Sequence, residues 1–426
     1  MGGGLLQLAA YGSQDIHLTG NPQITFFKGI HYKHTHFSME SMEQSFGAEP
    51  GFGRKVSCTV QKTGDLIHKM YLEVELPALT QPSGGYTKTP PEYVGWTNKI
   101  GHALIKNIEI VIGGEVYDTH NSEWLEIWSS LTNNHTKKEA HSVMIGERSD
   151  GINGAGEVLS GKSAIKLYIP LQFWFCRKIG SSIPIVALQH QDVKVNVDFR
   201  AAEELIRTDS SSTSVTIPSL TSASLFVDYI FLDNKERKMF VEKNHEYVIE
   251  QMQYGGEETI NINANKFYTT LGFSQPVKAV YWIITNENRL AKQYHTQGNC
   301  LLEFGPNLAA STTEVEFKKA TIKINGVERY SPRTPEFHRL VQPYNHHTAV
   351  PTNKYIYMYS FCIDPEDIHP TGSCNFSKLD TSTLHLEFIA GGEYFSTGGG
   401  LRLKIFALNY NVMRIMSGMA GLAFTN

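Results

Sequence analysis

The 426 residues of this chain contain the same series of strand-like sequence patterns twice. Five short patterns in the first half have counterparts in the second half, in the same order and 181 to 212 residues later. The pairs are Tyr71–Val74 with Tyr281–Ile284, Ile110–Gly114 with Ile322–Gly326, Leu171 and Phe173 with Tyr359 and Phe361, Val195–Phe199 with Leu384–Phe388, and Asp228–Tyr229 with Asn409–Tyr410. A single strand pattern is common, but five in a fixed order indicate an internal duplication. We therefore expect two similar β domains.

The boundary between the two domains is predicted near the middle of the chain. The apolar stretch Leu225–Asp233 has the β-branched and aromatic residues of a buried strand, and it ends in the charged run Asn234–Lys238. A chain of this length also favours two domains over one core. The predicted organisation is an N-terminal arm (1–26), a first domain (27–233), a linker (234–244) and a second domain with a C-terminal tail (245–426).

The strand patterns within each domain predict an all-β fold. Lys55–Gln61 and Met70–Leu76 alternate with period two, and Ile108–Ile112 runs into Gly113 and Gly114, a hairpin signal. Asn121–Leu131, with Trp124, Ile127 and Trp128, predicts a short amphipathic helix. The stretches 132–163 and 208–216 are polar and predict surface loops. Short strands with few helices favour two tandem eight-stranded jelly rolls, with short helices in their loops.

Composition excludes several classes of function. The net charge of −4 and pI near 6.5 give no basic surface, so direct nucleic-acid binding is not expected. No apolar run reaches membrane-spanning length, and no signal peptide is expected. Leu6 stands where a myristoylation motif needs Ser or Thr. Scattered cysteines predict buried, reduced thiols: Cys58, Cys176, Cys300, Cys362 and Cys374.

One stretch matches a nucleotide-binding pattern without the context that the chemistry requires. Gly156–Ser163 has the spacing of a phosphate-binding loop with Lys162 in place. Such a loop binds phosphate where a buried strand enters it and a helix leaves it. Here a polar stretch precedes the pattern and the alternating residues 164–170 follow it. A nucleotide site is therefore not expected.

The remaining polar motifs are interpreted as structural, so no catalytic, cofactor-binding or metal-binding residue is predicted. His31, His34 and His36 would not share one face of a strand, and Ile249 replaces the second histidine of a zinc motif that begins at His245. His346 and His347 form a second pair without nearby ligands. Asn134 and Asn375 match the glycosylation pattern, but polar turns are expected there.

Nine stretches spread from end to end of the chain form a distinctive set of motifs. They are Gly3–Leu8, Ala10–Gly12, Gln14–Asp15, Leu18–Lys28, Tyr32–Phe37, Ile183–Gln189, Val227–Asp233, Gly372–Ser377 and Asn409–Met419. These stretches resemble major capsid proteins of nucleocytoplasmic large DNA viruses, most of all the algal-virus type. His31 and His36 depart from the family pattern, and the loops 132–163 and 287–315 have no convincing counterpart.

The resemblance implies a double jelly roll whose homotrimers are pseudo-hexameric capsomers of an icosahedral shell. Its expected partners are neighbouring capsomers, minor capsid and penton proteins, and the internal viral membrane, with assembly in the host cytoplasm. The arm and the C-terminal tail are expected to make contacts at the base, with Leu5, Leu6 and Leu8 anchoring the arm. The long loops are expected to face outward.

A rival interpretation is a host-attachment or carbohydrate-binding protein on the same fold. It requires an exposed aromatic cluster in one group of loops. The candidates are Tyr86, Tyr93 and Trp96, for which buried packing is the preferred expectation.

Overall fold

A computed structural model describes residues 2–79, 94–147, 159–160, 164–208, 218–260, 265–287, 300–305, 317–352, 354–388 and 400–424. The chain divides into two compact units, Met1–His36 and Phe37–Asn426. In the first unit the helices Gly3–Ala9 and Ile16–Thr19 bury no residue. This unit ends ten residues beyond the predicted arm, and Leu5, Leu6 and Leu8 are all exposed.

The second unit begins with the strands of the first half of the fold, which we define as residues 37–233. They are β1 (Phe37–Gln44), β2 (Lys55–Thr59), β3 (Leu66–Leu76), β4 (Val94–Trp96), β5 (Ile105–Ile112), β6 (Glu115–Asn121), β7 (Leu159–Ser160), β8 (Ile165–Pro170), β9 (Val193–Phe199), β10 (Ile206–Thr208) and β11 (Ser222–Leu232).

The second half, defined as residues 245–424, continues with ten strands in the described part of the chain. They are β12 (His245–Ile260), β13 (Lys266–Thr270), β14 (Pro276–Asn286), β15 (Lys319–Ile324), β16 (Val327–Glu328), β17 (Ile356–Ser360), β18 (Cys374–Asn375), β19 (Ser382–Glu387), β20 (Leu401–Met416) and β21 (Met419–Leu422).

Helices occupy the connections between the strands. Among the described residues of the second unit, the α-helices are Ile100–Leu104, Ser122–Thr132, His135–Ile145, Trp174–Arg177, Asn234–Glu242 and Gln342–His346. Single turns of 3₁₀-helix span Ile179–Ser181, Ile185–Ala187, Ala202–Glu204 and Phe376–Lys378, and a π-helical turn spans Phe337–Val341.

Both halves build two antiparallel sheets with the same order of strands. The first half forms β1-β11-β3-β8 and β2-β9-β5-β6, and a small sheet β10-β4-β7. The second half forms β12-β20-β14-β17 and β13-β19-β15-β16, with β18 and β21 pairing on β14 and β20. Without these short additions, both halves read 1-8-3-6 and 2-7-4-5 in their own chain order. All five predicted pairs of patterns fall on, or at the end of, strands with the same place in the two halves.

The duplication extends to the hairpin turns that follow β5 and β15. Gly113 and Gly114 have φ of 60° and 92°, and Asn325 and Gly326 have φ of 48° and 80°. Two consecutive residues with positive φ are typical of the tight turn that matches strand twist in a hairpin. The prediction of a hairpin at this position is confirmed.

The two halves differ in how they use one sheet face. In β3, Met70, Leu72 and Val74 are buried in the core, whereas Tyr71 and Glu73 point away from it and are half-buried. In β14 every side chain from Val277 to Thr285 is buried. Its two faces therefore both have partners, one in the core of the second half and one in the first half.

Three predictions about the connections need correction or refinement. Helix Ser122–Thr132 was predicted correctly, but it is not amphipathic, because Ser122 to Ser129 and Leu131 are all buried. The predicted loop 132–163 contains the helix His135–Ile145, which the sequence interpretation missed. The predicted linker 234–244 begins with the helix Asn234–Glu242. The predicted loop 208–216 begins at the end of β10, and its residues 209–216 lie outside the described residues, as does most of 287–315.

Candidate assembly surfaces

The helix Ser122–Thr132 is the centre of the contact between the two halves. It begins where β6 ends, and the side chain of Asn121 caps it by accepting from the backbone N–H of Trp124 at 2.9 Å. Trp124 lies edge-on to Tyr281, with ring centroids 5.3 Å apart, and 6.1 Å from the ring of Phe406. All three rings are fully buried, so this helix covers the outer face of β14 and β20.

A buried ion cluster surrounds the carboxylate of Glu126 on the same helix. Glu126 accepts from Lys99 Nζ at 2.8 Å and from Lys354 Nζ at 2.6 Å. His102 Nδ1 lies 3.1 Å from its second oxygen, and Glu147 lies 3.7 Å from Lys99 and 3.4 Å from Lys354. Because Lys354 belongs to the second half and the other groups to the first, this cluster joins the two halves.

The charges in this cluster determine the protonation state of its carboxylate. Burial alone would raise the pKa of Glu126, but Lys354, Lys99 and the hydrogen bond with His102 hold that pKa well below its ordinary value. Burial lowers the pKa of Lys354, against the attraction of Glu126. The carboxylate therefore stays ionised, with cations from both halves around it.

Two further buried ion pairs cross between the halves among the described residues. Glu123 Oε1 lies 2.6 Å from Lys404 Nζ of β20. Glu250 of β12 pairs with Arg177 from the first half and with Lys278 of β14, which also donates to the carbonyl oxygen of Asp367 at 2.7 Å. All of these side chains are at most 13 % exposed, so solvent screens them weakly.

The C-terminal tail folds back on the first half. β21 pairs with the end of β20 through a turn in which Ser417 and Gly418 have φ of 52° and 80°. The side chain of Gln191 accepts from Ala420 N at 2.7 Å and donates to Ala420 O at 3.2 Å. A Cβ at Gly418 would lie 2.8 Å from the ring of His190, so this contact requires glycine. The predicted tail is therefore a strand that joins the halves.

The outer face of the first sheet of the first half carries a row of aromatic side chains. Tyr71 of β3 stacks on Phe226 of β11, with centroids 5.1 Å apart and planes 2° apart. Tyr168 of β8 lies 6.4 Å from Tyr71. Tyr71 and Phe226 are half-buried and Tyr168 is 37 % exposed, so this aromatic row is open to solvent.

The histidines noted in the sequence have separate environments. His31, His34 and His36 are exposed residues of the first unit. His346 Nδ1 lies 2.8 Å from the carbonyl oxygen of Ile363, whereas buried His347 lies between Glu366 at 2.8 Å and the Tyr281 hydroxyl at 3.1 Å. Across the described ranges, no three His, Cys, Asp or Glu side chains are grouped so that they could hold a metal ion.

Other predicted residues fall partly outside the described chain. The nucleotide-like stretch 156–163, including Lys162, lies outside it apart from residues 159–160, as do Tyr86 and Tyr93. Trp96 is fully buried and stacks on Phe52 at 5.8 Å, which confirms the expected packing and removes this residue from an exposed aromatic cluster. No helix among the described residues is long and apolar enough to cross a membrane.

The glycosylation-like asparagines and the cysteines also have structural roles. Asn134 and Asn375 accept backbone N–H groups at helix starts, from Lys137 and Ser377 respectively, both at 3.1 Å. Cys374 is half-buried and the other cysteines are buried, and burial raises the pKa of Cys58 to about 11. The interpretation as buried thiols is confirmed for the four buried residues.

The sequence interpretation missed the ion cluster at the junction. Glu126 lies 27 residues from Lys99 and 228 residues from Lys354, so no local spacing connects them. One signal was present: Glu123 and Glu126 lie within one turn of a tryptophan, Trp124 or Trp128, on a helix whose apolar residues predict burial. A carboxylate at a buried helix position requires a cation from elsewhere in the fold.

Comparisons with known proteins match the whole length of the chain. Residues 25–233 match the family described as major capsid protein N-terminus, and residues 236–421 match the family described as large eukaryotic DNA virus major capsid protein. The major capsid proteins of Pyramimonas orientalis virus and Phaeocystis pouchetii virus are 38% and 33% identical, and each alignment covers all of both chains.

Solved structures give the same result. A quasi-atomic model of the PBCV-1 virus capsid matches with a TM-score of 0.76 and 27% identity, over 94% of this chain and 100% of that one. The Faustovirus major capsid protein has a TM-score of 0.74 at 13% identity, over 95% and 94% of the two chains, which shows a shared fold.

Proposed function

Since this chain belongs to the large eukaryotic DNA virus major capsid proteins, which form the virion capsid, we propose that it acts as a homotrimeric, pseudo-hexameric capsomer. The trimers tile the faces of the icosahedral shell. Each chain supplies two eight-stranded jelly rolls, one from each half. Its role is structural and involves no catalysis.

The observation that carries the proposal is the repeated sheet order. Both halves have the order 1-8-3-6 and 2-7-4-5, and this shared order of eight strands supports a jelly roll in each half. Three chains of two such domains present six similar domains around one axis. A threefold particle of this kind can fill a lattice position that has six neighbours.

The packed junction between the halves supports the same proposal. A capsomer must hold its domains at fixed angles, and the halves are joined by Trp124, by the Glu126 cluster and by the Gln191 contact with the tail. Removing the partner of a buried charge is costly, so sliding one half on the other is opposed.

We further propose that the arm makes the contacts at the base of the capsomer. Leu5, Leu6 and Leu8 are all more than half exposed in the described structure. Exposed apolar clusters of this kind commonly mark interaction sites. Neighbouring capsomers, minor capsid and penton proteins and the internal membrane are the proposed partners. A chain lacking residues 2–22 should assemble poorly, and unchanged assembly would contradict the role of the arm.

The solution mass of the purified protein tests the trimer. Light scattering should give a species near three times the chain mass of 47.8 kDa. A species that stays at 47.8 kDa over all accessible concentrations would contradict a self-assembling trimer.

A further inference from the structure

The contact between the halves indicates how two copies of this chain could meet. The sheet face that the helix Ser122–Thr132 covers in the second half has a counterpart in the first half. Tyr281 of β14 pairs directly with Phe406 of β20. Tyr71 of β3 pairs directly with Phe226 of β11. β3 and β14 are the third strands of their halves, and β11 and β20 are the eighth.

The two Tyr–Phe pairs are equivalent in register as well as in position. Glu73 pairs with Tyr168 of β8, and Ile283, in the same place, pairs with Ile356 of β17. The outer face of the sheet in the second half is therefore the repeat of the aromatic row in the first half. In the second half it is covered by the helix Ser122–Thr132, which follows the fifth strand of the first half.

This proposal rests on the trimer proposed above: we propose that the aromatic row Tyr71–Phe226–Tyr168 is the subunit interface, covered by residues 337–346 of a second copy of this chain. That segment follows β16, the fifth strand of the second half, as the helix Ser122–Thr132 follows β6. The interface between copies thus repeats the contact that exists within one copy.

The segment that would cover the row presents apolar side chains to solvent. Val341 and Tyr344 are 45 % and 78 % exposed. They are three residues apart along continuous helical backbone, so they lie on one side of it. The aromatic row and the segment 337–346 therefore both present apolar surface to solvent. The first lies on the first half of the chain and the second on the second half.

A neighbouring pair of strands supplies a second contact of the same kind. Within the chain, β6 meets β12, where Gln251 Nε2 donates to Tyr117 O at 2.5 Å and Met252 N donates to Asp118 Oδ1 at 2.9 Å. The repeats of these strands are β16 and β1. Val327 on β16 and Met39 on β1 are exposed, as a contact between copies requires.

The geometry also explains why the assembly closes. One copy offers the first sheet of its first half, and the next offers a helix of its second half. Two different patches that meet head to tail form a ring when the rotation closes. Contacts within and between chains would alternate around the axis, which gives three of each.

Two single variants and their mixture test the pairing of these surfaces. Phe226→Asp places a charge in the aromatic row, and Tyr344→Asp places one on the covering segment. Each variant should shift the mass from three chains to one. Tyr268→Asp is the matched control, because Tyr268 is a 71 % exposed strand aromatic of β13, outside the proposed interface, and this variant should remain a trimer.

The mixture separates a lost interface from a misfolded chain. A Phe226→Asp chain retains its covering segment, and a Tyr344→Asp chain retains its aromatic row. An equal mixture at high concentration should therefore give a dimer of one chain of each kind, near twice 47.8 kDa, which cannot close. A mixture that stays monomeric would overturn the pairing of these two surfaces.

The remaining outcomes distinguish this inference from the proposed function. If both the wild-type chain and the Phe226→Asp variant are trimers, the aromatic row is not the interface, and the capsomer proposal stays intact. Loss of the trimer in Phe226→Asp but not in Tyr344→Asp would assign the cover to another segment, such as the arm. A wild-type monomer would overturn the trimer and this interface together.

Discussion

The Tyr281–Phe406 pair and the Tyr71–Phe226 pair occupy the same place in two copies of one sheet, but their surroundings differ. The first pair is fully buried beneath Trp124, whereas the second is half-buried on an open face. The neighbouring residues differ in polarity in the same way. Ile283 and Ile356 lie beside the covered pair, whereas Glu73 and Tyr168 lie beside the open pair.

This difference shows how a duplicated fold acquires two kinds of surface. Sheet order and register are the same in both halves, so the difference lies in side chains of the outer face. The covered face is mainly apolar around Tyr281 and Phe406, and its largely buried Lys404 is neutralised by Glu123 of the covering helix. The open face retains charges such as Glu73, which pairs with Lys166 at 2.6 Å, so it is compatible with contact with water.

The largest expected effect comes from uncovering the buried pair. Trp124→Ala removes a fully buried ring at the junction and should reduce the free energy of unfolding by about 3–5 kcal/mol. Guanidinium unfolding at fixed protein concentration measures the change. Tyr168→Ala, on the open face, is the control and should stay within about 1 kcal/mol under conditions where the chain is monomeric. Equal losses for the two variants would refute the difference between the faces.

The second effect comes from the charge beside the buried pair. Glu126→Gln leaves Lys99 and Lys354 without their principal anion and should cost about 3 kcal/mol at neutral pH. The loss falls at the lower end of the range for buried pairs, because Glu147 remains within 4 Å of both lysines. Thermal unfolding of both proteins in one buffer measures it.

The matched control for this variant is an ion pair on the surface. Glu246 and Arg414 lie 2.8 Å apart and are both more than half exposed. Glu246→Gln should change stability by less than about 1 kcal/mol. A loss as large as that of Glu126→Gln would show that burial is not what makes the junction cluster important.

The duplication was predictable from sequence because its signals are local. The alternation in β2 and β9 and the turns at Gly113 and Asn325 each occupy a few neighbouring residues. The helix His135–Ile145 was missed because its composition is polar. The sequence does contain the two capping residues that mark its ends, Asn134 and Gly146. In the structure Asn134 accepts from Lys137 N, and Gly146 has φ of 72°.

The difference between the two faces was not predictable in the same way. Tyr71 and Tyr281 occupy matching strand positions. The change from Glu73 to Ile283 indicates burial on both faces of the second strand, but no nearby residue identifies what covers it. Burial of Tyr281 depends on Trp124, which lies in the other half of the chain. Long-range contacts of this kind appear only when the fold brings the halves together.

The smallest expected effect is a pH dependence at the junction. His141 is half-buried, and its ring lies 5.4 Å from that of His102. Burial first, and then the charges of His102 and Lys354 against those of Glu126 and Glu147, lower the pKa of His141 to about 4. The unfolded chain binds this proton near pH 6.5. Stability should therefore be complete above that pH and fall as the pH drops toward 4.

The variant His141→Gln should flatten this slope, because glutamine does not titrate. Between pH 7 and pH 5 the wild-type chain should lose about 1–2 kcal/mol more than the variant, as thermal unfolding at each pH would show. Tyr168→Phe, on the open face, should leave the slope unchanged, since this exchange neither adds nor removes an imidazole. Parallel curves for wild type and His141→Gln would mean that the junction does not hold this histidine neutral.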